Sequence, residues 1–173
     1  MKKIIITLAI FIGSIAAVTA QPRAIGLRLG YFLEASYQHS ISDKGFLQID
    51  AGTAWFSSGT ATLTYNHIVL EPNINWGKMC LSVGGGVGGG YYWGFASRYY
   101  GYYGYGWRYG WAGVAPIVQF AFTFPFPLQV AVDYRPNLGV KIYGKDYYDY
   151  DRGRIRFNTQ GLFDAALSVR YAF

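Results

Sequence analysis

Hydrophobic and polar residues alternate along most of the chain. Near its end Phe163, Ala165, Leu167, Val169, Tyr171 and Phe173 share one parity, while Gln160, Asp164, Ser168 and Arg170 share the other. A period of two puts successive side chains on opposite faces of an extended strand, so this segment predicts a strand with one apolar side. The pattern recurs: Leu47, Ile49, Ala51 and Trp55 oppose Gln48 and Asp50, and Leu128, Val130, Val132, Tyr134 and Leu138 oppose Gln129, Asp133, Arg135 and Asn137. Met79, Leu81, Val83 and Val87 oppose Cys80, Ser82 and a set of glycines. Seven strands are predicted, at 34–41, 45–56, 60–71, 79–94, 111–124, 128–142 and 155–173. An eighth, at 24–30, joins the next through Tyr31, Phe32 and Leu33. A three-residue hairpin loop keeps the same face on both sides, as the parity from Ile25, Leu27 and Leu29 to Ala35 and Tyr37 requires. One continuous strand over 24–39 accounts for that parity equally well. Pro116 and Pro136 each remove a ladder donor and predict a bulge.

Arg28, Glu34, Asp50, Asp133, Arg135, Arg154, Arg156, Asp164 and Arg170 all fall on the polar parity of these strands. A soluble sandwich would turn the apolar face inward, whereas a membrane barrel turns it to lipid and encloses the polar one. The aromatics decide between them. Trp55, Tyr91, Trp93, Tyr134, Tyr171 and Phe173 lie at or near strand ends on the apolar parity, as interfacial girdles require. The predicted fold class is therefore all-β, an antiparallel eight-stranded transmembrane up-and-down β-barrel. Its long connections, 95–110 and 143–154, share one side, and the short ones at 42–44, 72–78 and 125–127 share the other. Arg28, Glu34, Asp50, Asp133, Arg135, Asp164 and Arg170 form the predicted lumen polar network. A barrel of this size is just wide enough for side chains to fill, and the near-balance of inward charge points to a plugged lumen rather than an open pore.

Composition narrows the class. The 173 residues are 52% hydrophobic, 20% aromatic and 14% charged, which excludes a disordered chain. Lys2 and Lys3, the apolar stretch 4–17 and the small residues Val18-Thr19-Ala20 read as a signal peptide cleaved before Gln21. An uncleaved anchor is the alternative. The domains are then 1–20, the signal peptide, and 21–173, the barrel. Without Lys2 and Lys3 the 15 basic residues become 13 against 9 acidic, a balance that demands no nucleic acid. Cys80 stands alone, so no internal disulfide or cysteine zinc site can form.

Catalytic chemistry finds no support. His39 and His67 are the two histidines, both on the apolar parity, and Asp133 and Asp164 neighbour arginines that make ion pairs the better account than acid/base work. No metal-ligand spacing occurs, and no catalytic residue, metal or cofactor is expected. Gly84, Gly86 and Gly89 match a dinucleotide-loop spacing, but they lie in a strand and lack the required turn and helix. Inward glycines are expected to leave room for large side chains across the lumen. The connection 97–110 carries Arg98, Tyr99, Tyr100, Tyr102, Tyr103, Tyr105, Trp107, Arg108 and Tyr109 among glycines. Such residues can stack on sugars or grip acidic groups, making a candidate surface for lipopolysaccharide, glycan or host protein. An aromatic girdle on a Gly-rich tether is the plainer account.

The run Ala24-Ile25-Gly26-Leu27-Arg28-Leu29-Gly30, the segment 34–39, the Gly-rich strand 81–90, the motif Val132-Asp133-Tyr134-Arg135-Pro136 and the ending Ser168-Val169-Arg170-Tyr171-Ala172-Phe173 resemble small outer-membrane β-barrel proteins of the Bacteroidetes type. The general plan is similar to OmpX-like eight-stranded barrels. The resemblance implies an outer-membrane location among lipid and lipopolysaccharide, and leaves activity open. It also implies that Leu167, Val169, Tyr171 and Phe173 form the signal read by the barrel assembly machinery, which can add such a segment as a strand. The expectation is a monomeric, non-enzymatic barrel with a structural or surface-binding role. A narrow channel, or a secreted soluble barrel around a small apolar ligand, stands as the alternative.

Overall fold

The computed structural model describes residues 23–54, 57–93, 108–143, 155–158 and 161–173. The signal segment 1–20, Trp55, Arg154 and the aromatic run 98–107 lie outside the described residues. Twelve β segments follow one another: β1 (Arg23–Leu29), β2 (Leu33–Ser42), β3 (Gly45–Thr53), β4 (Ser58–Leu70), β5 (Asn73–Ile74), β6 (Gly77–Tyr92), β7 (Tyr109–Val114), β8 (Ile117–Thr123), β9 (Gln129–Tyr134), β10 (Leu138–Tyr143), β11 (Ile155–Asn158) and β12 (Ala165–Ala172). No helix occurs among the described residues. β7 with β8, β9 with β10, and β11 with β12 are halves of single strands, and β5 is a small ribbon beside β6. Eight antiparallel strands result, and they close into a barrel where β12 pairs with β1 on one side and β9 on the other.

β1 is a separate strand, because Arg23 pairs with His39 and Leu29 with Leu33 in an antiparallel hairpin. That excludes a continuous strand over 24–39. The loop is residues 30–32, one position earlier than the alternation indicated. Leu29 and Leu33 both point outward, so the three-residue loop does preserve the face.

The prolines break the strands without a bulge. Val114 pairs with Leu138 and Val118 with Tyr134, so an unshifted register sets Pro116 directly opposite Pro136. Ala115 exchanges both backbone hydrogen bonds with Gly86, at 2.9 and 3.0 Å, which turns the polar groups of residue 116 toward residue 136. Each proline thus lacks the N–H that the other would have received, and neither leaves an orphan donor. The irregularities lie elsewhere. One-residue shifts occur at Ser40/Ser42 and Ile68/Leu70. The predicted strand 155–173 is interrupted before β12 by a turn with Gly161 at φ 84°, a conformation in the left-handed region that favours glycine.

The core is inverted. Among the described residues the buried set holds 21 polar or charged residues against 12 hydrophobic ones, so no ordinary apolar interior organises this fold. Ile25, Leu27, Ile49, Leu63, Val87, Val118, Val132, Leu167 and Val169 instead form a belt around the outside.

Six inward glycines have a cause that alternation did not reveal. At Gly26, Gly52, Gly84, Gly86, Gly113 and Gly139 an added Cβ would fall on the backbone of the neighbouring strand. These are close approaches between adjacent strands, not clearance for side chains across the lumen. At Gly88 an added Cβ would meet the Thr62 hydroxyl and the Trp111 ring, and at Gly90 it would meet both the Gly59 carbonyl of the neighbouring strand and the Trp111 ring.

Candidate functional site: the polar lumen and its two mouths

Alternation brings even-numbered residues of β1, β2 and β3, odd-numbered residues of β9, and the flanking Arg135 and Asp164 into the same enclosed space, where their side chains meet. Arg28 is wholly buried and donates from Nη1 to Glu34 Oε2 at 2.8 Å and to Asp164 Oδ2 at 3.0 Å. Its Nε bonds Asp133 Oδ1 at 3.0 Å, and Nη2 bonds the same oxygen. Arg135 donates to Asp50 Oδ2 from Nη1 and to Glu34 Oε2 from Nη2, both at 2.6 Å, with a longer contact of 3.4 Å to Asp164 Oδ2. Asp164 also accepts the amide of Tyr31 at 3.2 Å, which ties the first hairpin to the eighth strand. Six of the seven residues predicted for the lumen therefore form one ion-pair network. The seventh, Arg170, lies beside it on Ser36 Oγ at 2.9 Å, Ser168 Oγ at 3.1 Å and Gln129 Oε1 at 3.2 Å.

A neutral layer continues the network. Gln38 Nε2 donates to Gln48 Oε1 at 2.8 Å and Gln119 Oε1 at 3.0 Å, and Gln48 Nε2 reaches Asp50 Oδ2 at 2.7 Å. The glutamines were not singled out from sequence, although their inward parity could have found them. Together the layers fill the lumen as shared, directional bonds in a low-dielectric space.

The satisfaction is uneven. Glu34 Oε1, Asp50 Oδ1, Thr62 Oγ1 and Arg135 Nε are buried without a hydrogen-bond partner. On both Glu34 and Asp50 the other oxygen takes two donors.

The two mouths differ. At the mouth shared by the long connections the rings of Tyr92 and Tyr109 stack at 5.1 Å, and those of Tyr109 and Tyr143 lie 5.3 Å apart. Lys141 Nζ sits 4.9 Å from the Tyr109 ring centre. Tyr109, named with the surface-binding set, is buried in this cluster, whereas Arg108 is exposed. The opposite mouth, beside Phe173, holds a cavity of about 880 Å³ bordered by Gln38, Phe46, Glu71, Lys78, Cys80 and Gln119.

Of the proposed assembly signal, Leu167, Val169 and Tyr171 face outward along β12. Phe173, also exposed, exchanges two backbone hydrogen bonds of 2.8 Å with Arg23, where the first and last strands meet. His39 and His67 also lie on the outer face, and His39 stacks against Tyr37 at 6.4 Å. No group of three or more His, Cys, Asp or Glu among the described residues is placed to hold a metal ion.

The fold and lumen define a class: a closed eight-stranded antiparallel barrel with a polar filling, compatible with the OmpX-like plan. Searches against protein-family models, curated proteins and solved structures return no match, so the functional argument rests on the fold and its side chains.

Proposed function

We propose that the protein is an integral outer-membrane β-barrel of the OmpX-like kind, without catalytic activity, exported by its N-terminal signal and serving a structural or surface-binding role. One observation carries the reading: the polarity of the barrel is reversed, with charge enclosed and a continuous apolar belt outside. In water that belt would be far larger than the few hundred Å² that soluble proteins tolerate, while in a bilayer it meets hydrocarbon. Tyr91, Trp93, Tyr134 and Tyr171 lie outward near strand ends, as rings at the two interfaces of a membrane do. The cross-linked Arg, Asp and Gln layers favour a closed body over a channel. The surface-binding part rests on the chemistry of Arg98 to Tyr105, Trp107 and Arg108, which suits lipopolysaccharide or an acidic glycan.

The test is density-gradient fractionation of cells producing the full chain, followed by electrophoresis with and without boiling. The expected outcome is recovery with outer membranes and a mobility change on boiling, as the compact barrel opens. Recovery in a soluble fraction without detergent would overturn the reading in favour of a secreted barrel.

A further inference from the structure

Among the described residues Lys141 has no counter-ion. It faces inward on β10 and is 8% exposed. Glu34, Asp50, Asp133 and Asp164 are held by Arg28 and Arg135, and Asp43 and Glu71 border the cavity at the opposite mouth. The Lys141 ammonium instead lies over the face of Tyr109, 4.9 Å from the ring centre. A ring face offsets only part of what a buried ammonium loses on leaving water.

The next strand brings a second cation to the same place. Arg156 on β11 stands directly opposite Lys141 in the register, and its guanidinium lies 5.5 Å from the Tyr143 ring centre. Like charges directly opposite each other repel, and an anion between them turns repulsion into attraction. Trp111 is the other neighbour of Lys141 in register, so indole, ammonium and guanidinium share one row of the wall. The next row toward the long connections is Tyr92, Tyr109 and Tyr143. Tyr92 and Arg156 are half-buried, so part of this cluster meets solvent.

We infer that this mouth binds an anionic sugar, whose carboxylate or phosphate group sits between Lys141 and Arg156 and whose ring packs on the half-buried Tyr92. Charge-assisted bonds from an ammonium and a guanidinium select the acidic group, and rigid tyrosine rings supply apolar contact for the sugar. The inference rests on the surface-binding reading above, and it names a site on the barrel wall, apart from the connection that carries Arg98 and Arg108.

Isothermal titration of the full chain, folded in a nonionic detergent without a sugar headgroup, tests it with glucuronate, a hexose phosphate, glucose and inorganic phosphate. The acidic sugars are expected to bind about tenfold more tightly than glucose, by a margin that shrinks as salt is added. A preference for phosphate points to lipopolysaccharide and one for carboxylate to an acidic polysaccharide, and either supports the site. Lys141→Met removes the margin while keeping the mobility change on boiling, because it leaves no buried charge behind, and Lys141→Arg retains the margin. Arg156→Gln narrows it. Equal affinity for glucose and the acidic sugars would overturn the inference, as would inorganic phosphate binding as tightly as the hexose phosphate. A margin lost in Arg98→Ala with Arg108→Ala but kept in Lys141→Met would overturn it too, by moving the site to the connection. Recovery of the chain in a soluble cell fraction would sink the membrane reading alone, since the titration needs only the folded barrel.

Discussion

Two walls of the same barrel use opposite inventories. β1, β2, β3, β9 and β12 turn arginines, carboxylates and glutamines inward, and β6 and β7 on the far side turn Gly84, Gly86, Gly88, Gly90 and Gly113 inward. The charged wall is held by side chain to side chain bonds that span many strands, such as Arg28 to Asp133 and Arg135 to Asp50. The bare wall is held by backbone ladders that approach too closely for a Cβ at Gly84 or Gly86. The contrast teaches that one closed sheet holds its walls in two ways: long side chains bond across the lumen on one, and adjacent backbones approach too closely for a side chain on the other.

The comparison can be broken most severely at Arg135. Arg135→Ala leaves Glu34, Asp50 and Asp164 short of a buried counter-charge and is expected to cost about 3–5 kcal/mol. Urea unfolding in micelles would register it as a large fall in midpoint or as failure to fold. A midpoint unchanged from the parent would mean that the charged wall holds nothing. The bare wall is probed by two adjacent glycines. Gly86→Ala sets a Cβ against the Leu63 carbonyl and should cost about 1–3 kcal/mol by overpacking. Gly85→Ala points outward, where the nearest atoms are 3.9 Å away, and should stay within about 0.5 kcal/mol. Equal effects at both positions would remove the close-approach account. The smallest effect belongs to the seam between the walls, where Pro116 faces Pro136. Pro136→Ala supplies the N–H that the Pro116 carbonyl lacks, while the chain loses the stiffness of proline; the two effects oppose each other and stability should move by less than about 0.5 kcal/mol. Pro116→Ala with Pro136→Ala restores a reciprocal pair, and a double-mutant cycle should return a favourable coupling.

Much of this was legible in the chain. Strand positions followed from period two, since each outward or inward assignment is a local consequence of extended backbone. Parity put Glu34, Asp50 and Asp164 on one face, and the aromatics near strand ends indicated that this face is the enclosed one. What parity could not supply is distance around the barrel. That Arg28 reaches Asp133, 105 positions away, depends on which strands become neighbours and at what register. The prolines illustrate the same limit: each alone reads as a ladder defect, and only the pairing of the sixth and seventh strands turns two defects into a match.

The sequence by itself determined the alternation and which charges share one face, because side-chain direction along a strand is set residue by residue. Tertiary structure decided that β1 is a separate strand, the ion-pair partners, the burial of Tyr109 and the reason for the inward glycines. Those depend on closure. Bringing the first strand against the last converts one face of a sheet into an interior, and only then do residues far apart in the chain compete for the same few bonds.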